Sequence, residues 1–135
     1  MADSVEETLV LVKPDGVARN LTGEILRRIG LGPADGIAIE FGVESGLQSN
    51  THWLLRQGHR VVWLEFSDQH VKWIRRWFAD YLAKGRLTLA HELVEVETID
   101  GRLSALANGQ PVLVLSIDVD GNDYWLWERV ESIQP

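Results

Sequence analysis

The stretch Ile37-Ala-Ile-Glu-Phe-Gly-Val-Glu-Ser-Gly46, read together with Arg60-Val-Val-Trp-Leu-Glu65, decides the fold. Its first five residues are apolar apart from Glu40, which predicts a buried strand. Gly42 and Gly46 then break the strand. Glycine at this point lets the chain turn tightly into a helix and lets the backbone approach a ligand closely. Asn50 to Gln57 has helical character and Gly58 ends it. The next strand, Arg60 to Glu65, closes on an acid 25 positions after Glu40. That is near the ~20 expected of nucleotide-binding units, where such an acid accepts hydrogen bonds from both ribose hydroxyls.

Working outward, Ser67 or Asp68 can cap a helix running to about Ala83, with Lys84-Gly85 closing it. Trp73 and Trp77, with Ile74, Phe78 and Tyr81, predict an apolar stripe of that helix packed on the sheet. Leu87 to His91 is a further strand. The Glu/Val alternation of Val94 to Ile99 predicts another short, half-exposed strand, Asp100-Gly101 a turn, and Leu103 to Ala107 a single helical turn. Pro111 to Ile117 is the most apolar strand and is predicted to be central. Tyr124 to Val130 reads as the last helix. Upstream, Thr8 to Val12 reads as a strand, Lys13-Pro-Asp-Gly16 as a turn, and Thr22 to Ile29 as a helix with Ile25, Leu26 and Ile29 on its apolar face. Gly30 to Pro33 stops that helix and is the best boundary in the chain. Strands and helices alternate throughout. The expected fold is α/β, a Rossmann-like three-layer sandwich with a mostly parallel sheet of about five strands. It is one domain over 1–135, made of a strand–helix segment (1–33) and a Rossmann half (34–135).

Composition narrows the function. The chain has 135 residues, 45% hydrophobic, with a formal net charge of −7. An acidic protein repels phosphate, so nucleic acid and membrane surfaces are not expected partners. No apolar run approaches the ~20 residues of a membrane span. Met1 to Glu7 is acidic and lacks a signal peptide's basic start and apolar core, so a cytoplasmic location is expected. There is no cysteine, which excludes disulfides, thiolate metal sites and a cysteine nucleophile.

In open parallel sheets, ligands bind beyond the carboxyl ends of the strands. Glu40, Gly42 and Gly46, then Glu65, then His91, then Asp118 and Asp120 all fall at such ends. The loop departs from a dinucleotide fingerprint, because Glu44 stands where G-x-G-x-x-G has glycine. Acidic walls repel a pyrophosphate and suit a cation. S-adenosylmethionine carries a sulfonium, an ammonium and a ribose, with no phosphate. Each residue also has a plainer reading. Glu40 could cap a neighbouring loop, Glu65 could pair with Arg60 or a lysine, and Asp118 to Asp123 could be a hydrogen-bonded turn. The set in this order favours the ligand site. Asp118, Asp120 and Asn122 mimic the start of a calcium loop, but glycine is missing at its sixth position and Arg129 stands at its twelfth, so no EF-hand is expected. His52, His59, His70 and His91 have no metal-ligand spacing, and no metal is expected.

Ile39 to Leu55, Val62 to Glu65 and Leu115 to Trp125 together resemble the FkbM-like S-adenosylmethionine-dependent methyltransferases, over about Ala34 to Pro135. The resemblance implies that Glu40, Gly42 and Gly46 contact the cofactor's amino-acid part and that Glu65 holds the ribose. It implies that Asp118 and Asp120 face the methyl-transfer site, with a small molecule or sugar as acceptor. Phe66 stands where such proteins often keep a small residue. Thr8 to Val17 and Leu21 to Ile29 are similar instead to the start of nucleoside diphosphate kinases. Only Lys13 corresponds to a phosphate-binding residue there. The family's Asn-x-x-His-Gly-Ser motif, with its catalytic histidine, does not occur, so kinase activity is not expected. The two resemblances imply a chimera joined near Gly30–Pro33, its methyltransferase-like part ending where a fifth strand is expected. The sheet order expected from that part is 3-2-1-4, with Thr8–Val12 filling the open edge beside the Val112 strand. An unfilled edge favours a homodimer. The alternatives are a non-catalytic chimeric or designed scaffold, and a nucleotide-binding remnant of the kinase acting through Lys13.

Overall fold

The computed structural model describes residues 22–30 and 36–133. Four parallel strands form one sheet: β1 (Ile37–Phe41), β2 (Arg60–Glu65), β3 (Leu87–His91) and β4 (Val112–Ile117). Their order is β3-β2-β1-β4, as expected from sequence. The expected fifth strand, Thr8–Val12, lies outside the described residues, as does Lys13. The helices are α1 (Thr22–Ile29), α2 (His52–Arg56), α3 (Asp68–Trp77), α4 (Ala79–Ala83), α5 (Ile99–Ala107) and α6 (Asp123–Glu128). They cover both sides of the sheet, which makes the three-layer α/β sandwich that strand–helix alternation predicts.

Alternation along the strands divides the core in two. On one side Ala38, Val61, Trp63 and Leu87 pack against Leu54 and Leu55 of α2, Ile74 of α3 and Phe78. On the other, Ile37, Ile39, Phe41, Val62 and Leu64 pack against Ile99, Leu103 and Ala107 of α5 and Leu126 of α6. β1 is buried at every position, because it has a strand on each side and helices above and below. The most apolar strand by sequence, β4, lies at the end of the described sheet rather than at its centre. It bulges at Leu113, where the pairing steps from Ile37↔Val112 to Ala38↔Val114.

Three further sequence expectations need correction. Val94–Ile99 is not a strand: the chain passes through turns there and enters α5 at Ile99, so Asp100 and Gly101 are helical. Val94 and Val96 pack on the α5 side of the core from within this turn, which is what the alternation reports. The helix expected over 68–83 breaks at Phe78 (φ −110°, ψ 21°), so that the Phe78 ring drops onto Trp63 at 4.8 Å, edge to face. Trp73 and Trp77 do not pack on the sheet. They stack on each other in solvent, 5.7 Å apart and 11° from parallel, and are 37% and 47% exposed. Val71, Ile74 and Phe78 take the inward positions instead.

Candidate functional site

The carboxyl ends of β1, β2 and β4 converge on the loop 42–51. Glu40 and Ser116 are register partners on neighbouring strands, and Trp63 flanks Glu40 on the other side. All three point toward α2. The Glu40 carboxylate is buried there (2% exposed) and accepts from the Asn50 and Thr51 amides, both at 2.8 Å, and from Thr51 Oγ1 at 2.6 Å. Ser116 Oγ donates to Glu40 Oε1 at 3.3 Å while accepting from Asn50 Nδ2 at 3.0 Å. Trp63 Nε1 donates to Thr51 Oγ1 at 2.8 Å. Burial pushes the Glu40 carboxyl above its ordinary value, and the Thr51, Asn50 and Ser116 donors oppose that push. Every partner is a donor, so the arrangement is built for the ionised form.

Glu65 holds the other end of the loop. It is 4% exposed. Its Oε2 accepts from the Glu44 amide and its Oε1 from the Ser67 amide, each at 2.9 Å. His70 Nδ1 stands 3.4 Å from Oε1, without hydrogen-bond geometry. On β3, the register partner of Glu65 is His91, whose Nε2 lies 3.2 Å from both the Phe66 carbonyl and Asp68 Oδ1. Glu40 thus takes the plainer role that sequence offered, capping a neighbouring loop, whereas Glu65 pairs with loop amides and not with Arg60.

The glycines have steric reasons. Gly42 (φ +70°) lies so close to β4's exit that an added Cβ would sit 1.7 Å from the Asp118 carbonyl oxygen. At Gly46 (φ +81°) a Cβ would meet the Trp63 ring at 2.5 Å. Between them Glu44, also at positive φ (50°), is exposed. Asp118 and Asp120 are exposed beside this loop. The Asp118 carboxyl is held above its ordinary value by partial burial, then by Asp123, Asp120 and Glu44. Asp123 does not face the mouth freely: it accepts from the Val119 amide at 2.8 Å and the Gly121 amide at 3.3 Å, which makes 118–123 the hydrogen-bonded turn that sequence offered as one reading.

The expected residues are thus brought together, in two roles. Glu40 and Glu65 are buried struts whose oxygens already hold the loop, whereas Glu44, Asp118 and Asp120 form an acidic mouth. Sequence reading did not single out Asn50, Thr51, Trp63 or Ser116, the partners that complete the Glu40 network. Among the described residues, no group of three or more His, Asp or Glu is arranged to hold a metal ion. A surface depression of about 350 Å³ lies far from this loop at the other end of β4, lined by Ser104, Gln110, Pro111 and Ser132. It is open and lacks converging charged groups, so the loop remains the better candidate site.

No protein-family model matches this chain. A 50-residue stretch is 42% identical to a nucleoside diphosphate kinase of Frankia casuarinae, covering 37% of this chain and 36% of that protein. Solved structures match more of the chain. An O-methyltransferase from Bacillus cereus in complex with SAH superposes with a TM-score of 0.59 at 20% identity, over 90% of this chain and 54% of its own. The glycopeptide N-methyltransferase MtfA complexed with sinefungin gives 0.56 at 22%, over 98% and 50%. A putative O-methyltransferase from Klebsiella pneumoniae gives 0.53 at 16%, over 93% and 55%. The chain therefore has the Rossmann-like fold of S-adenosylmethionine-dependent methyltransferases, and it spans about half the length of these proteins.

Proposed function

We propose that this chain is the S-adenosylmethionine-binding part of an FkbM-like methyltransferase. The observation that carries this reading is convergence. The loop 42–46 is tied to Glu65 through the Glu44 amide and lies against the Asp118 carbonyl, so segments from three strands meet at one acidic mouth. Asp118, whose carboxyl is held above its ordinary value by burial first and then by Asp123, Asp120 and Glu44, sits among like charges that favour a cation. The fit is therefore to a phosphate-free, positively charged ligand. Glu65 would hold the ribose, each carboxylate oxygen having acceptor capacity beyond its one amide. Gly42 and Gly46 shape the loop that would carry the amino-acid part, and Glu40 serves that loop from behind. When bound, S-adenosylmethionine supplies an electrophilic methyl group. Asp118 and Asp120 are proposed to face that group and a small-molecule or sugar acceptor, in a cytoplasmic setting.

Calorimetric titration with S-adenosylmethionine tests this. Binding is expected, with Glu65→Ala weakening it at least about tenfold, the ~1.4 kcal/mol of one charge-assisted hydrogen bond. Absence of heat at millimolar ligand would sink the reading.

The 50-residue kinase match favours a second statement, that this chain carries a segment of kinase resemblance. We read residues 1–33 as a segment of kinase resemblance joined to the Rossmann half near Gly30–Pro33. It brings no phosphohistidine chemistry, since the Asn-x-x-His-Gly-Ser motif is missing from the chain.

A further inference from the structure

The molecule is electrically two-faced. Residues 52–86, which carry α2, α3 and α4, hold seven Lys or Arg and three Asp or Glu. Residues 91–133, which carry α5 and α6, hold two Lys or Arg and nine Asp or Glu. These two sets of helices lie on opposite sides of the sheet. A net acidic protein thus keeps most of its described cations on one side.

Each side also exposes aromatic rings that a single molecule leaves in water. On the basic side, α3 presents the stacked Trp73–Trp77 pair beside Lys72, Arg75 and Arg76. None of these three cations forms an ion pair among the described residues; the Lys84–Asp80 and Arg102–Glu92 pairs show that the chain pairs charges elsewhere. On the acidic side, α6 presents Tyr124, Trp125 and Trp127 at 57%, 54% and 50% exposure, next to Glu128 and Glu131. Exposed aromatic clusters ringed by charge mark interaction surfaces. Arginine and lysine against tryptophan and tyrosine faces, with carboxylates at the rim, is a complementary set.

We infer that these are the two halves of one contact, and that the α3 face of one copy docks on the α6 face of a second copy. The partner is another copy of this chain because the acidic, aromatic surface that the basic helix needs is on the chain itself. The sheet lies between the two faces, so they cannot meet within one molecule. The contact joins unlike surfaces, so it is head-to-tail and builds rings or open chains, not a two-fold dimer. It is a different surface from the β4 edge, and it does not depend on the proposed cofactor.

Sedimentation velocity tests this. At low salt the average mass is expected to rise with concentration above the single-chain 15.2 kDa. High salt, which shortens the screening length to about 3 Å, should reverse that rise. Arg75→Glu with Arg76→Glu spoils the basic face, and Glu128→Gln, Glu131→Gln and Trp127→Ser together spoil the acidic one. Each variant alone should sediment as a single chain with an unchanged far-ultraviolet circular dichroism spectrum. Mixed in equal amounts, they retain one good contact between them and should give a species of twice the single-chain mass that grows no further. A single chain at every concentration in low salt overturns the inference. So does association that survives in either variant alone, or a mixture that does not pair. If wild type instead gains mass only when an oligonucleotide is added, the basic face serves nucleic acid and the inference is equally overturned.

Discussion

Thr51 joins two buried groups with one hydroxyl, donating to Glu40 Oε2 and accepting from Trp63 Nε1. Thr51→Val keeps the shape and removes both bonds. It leaves an indole N–H without its partner in a fully buried position and takes a donor from a buried carboxylate. Leaving a buried polar group unsatisfied costs about 1–3 kcal/mol, more where a charge is involved. Thr51→Val is therefore expected to lower the unfolding free energy by about 2–3 kcal/mol, and Thr51→Ser to recover most of it, as read from urea denaturation midpoints. Equal loss in both variants would mean that the methyl contact matters and the hydroxyl does not. At this scale the sequence told half the story. Glu40 stood out as an acid at a strand end, and the loop-capping reading was among those open for it. Its partners did not stand out, because Ser116 is 76 residues away and comes beside it only through the β1–β4 register.

Helix α3 begins where its sequence says it should. Ser67 Oγ accepts from the His70 amide at 3.4 Å, and the Ser67 amide is itself held by Glu65, so one residue starts the helix and orients the acid of the candidate site. The cap bond is long, so Ser67→Ala should cost about 0.5–1 kcal/mol, the lower part of the usual range for a lost cap. Ser67→Asp, which keeps an acceptor, should cost less, and thermal unfolding compares them. The backbone bond to Glu65 survives both changes, so a ligand affinity that fell with Ser67→Ala alone would show that the cap also sets the site. The end of the same element was not legible. Nothing local distinguishes Phe78 from a residue in mid-helix. What breaks the helix is tertiary: Phe78 packs edge-on against Trp63 and His52, close under Gly46, and α4 then restarts at Ala79. The Val94–Ile99 misreading has the same origin. Period-two alternation reports which side chains turn inward, and a turn leading into a helix can satisfy it as well as a strand can.

Across the whole molecule, the strand order was legible from resemblance and the charge separation from counting, but where the acids would converge was not. Asp118, Asp120 and Asp123 are close in sequence, yet Glu44 joins them only because β1 and β4 are neighbours. That convergence makes a prediction with two opposite signs. The folded protein holds the Asp118 carboxyl above its ordinary value of 3.8, by burial first and then by the neighbouring acids. A carboxyl raised on folding stabilises the folded state only while protonated. Its contribution is present below the unfolded value and is lost as pH rises through the folded one, because the new charge appears in a field of the same sign. Stability of the wild type should therefore lose a small contribution over the window starting near pH 3.8, and Asp118→Asn should lack that loss. Under the proposed function, affinity for S-adenosylmethionine runs the other way. As Asp118 ionises, the mouth becomes more negative and holds a sulfonium more tightly, so the wild type's dissociation constant should fall across the window in which its stability declines. Asp118→Asn should flatten both curves. S-adenosylhomocysteine, which lacks the sulfonium charge, should show a shallower dependence than S-adenosylmethionine. Calorimetry across that window, beside denaturant titrations of both proteins, separates the cases. If the affinity curves of wild type and Asp118→Asn superimpose, the acidic mouth does not face the bound cation. If only the stability curves differ, Asp118 feels its acidic neighbours, but the ligand lies elsewhere.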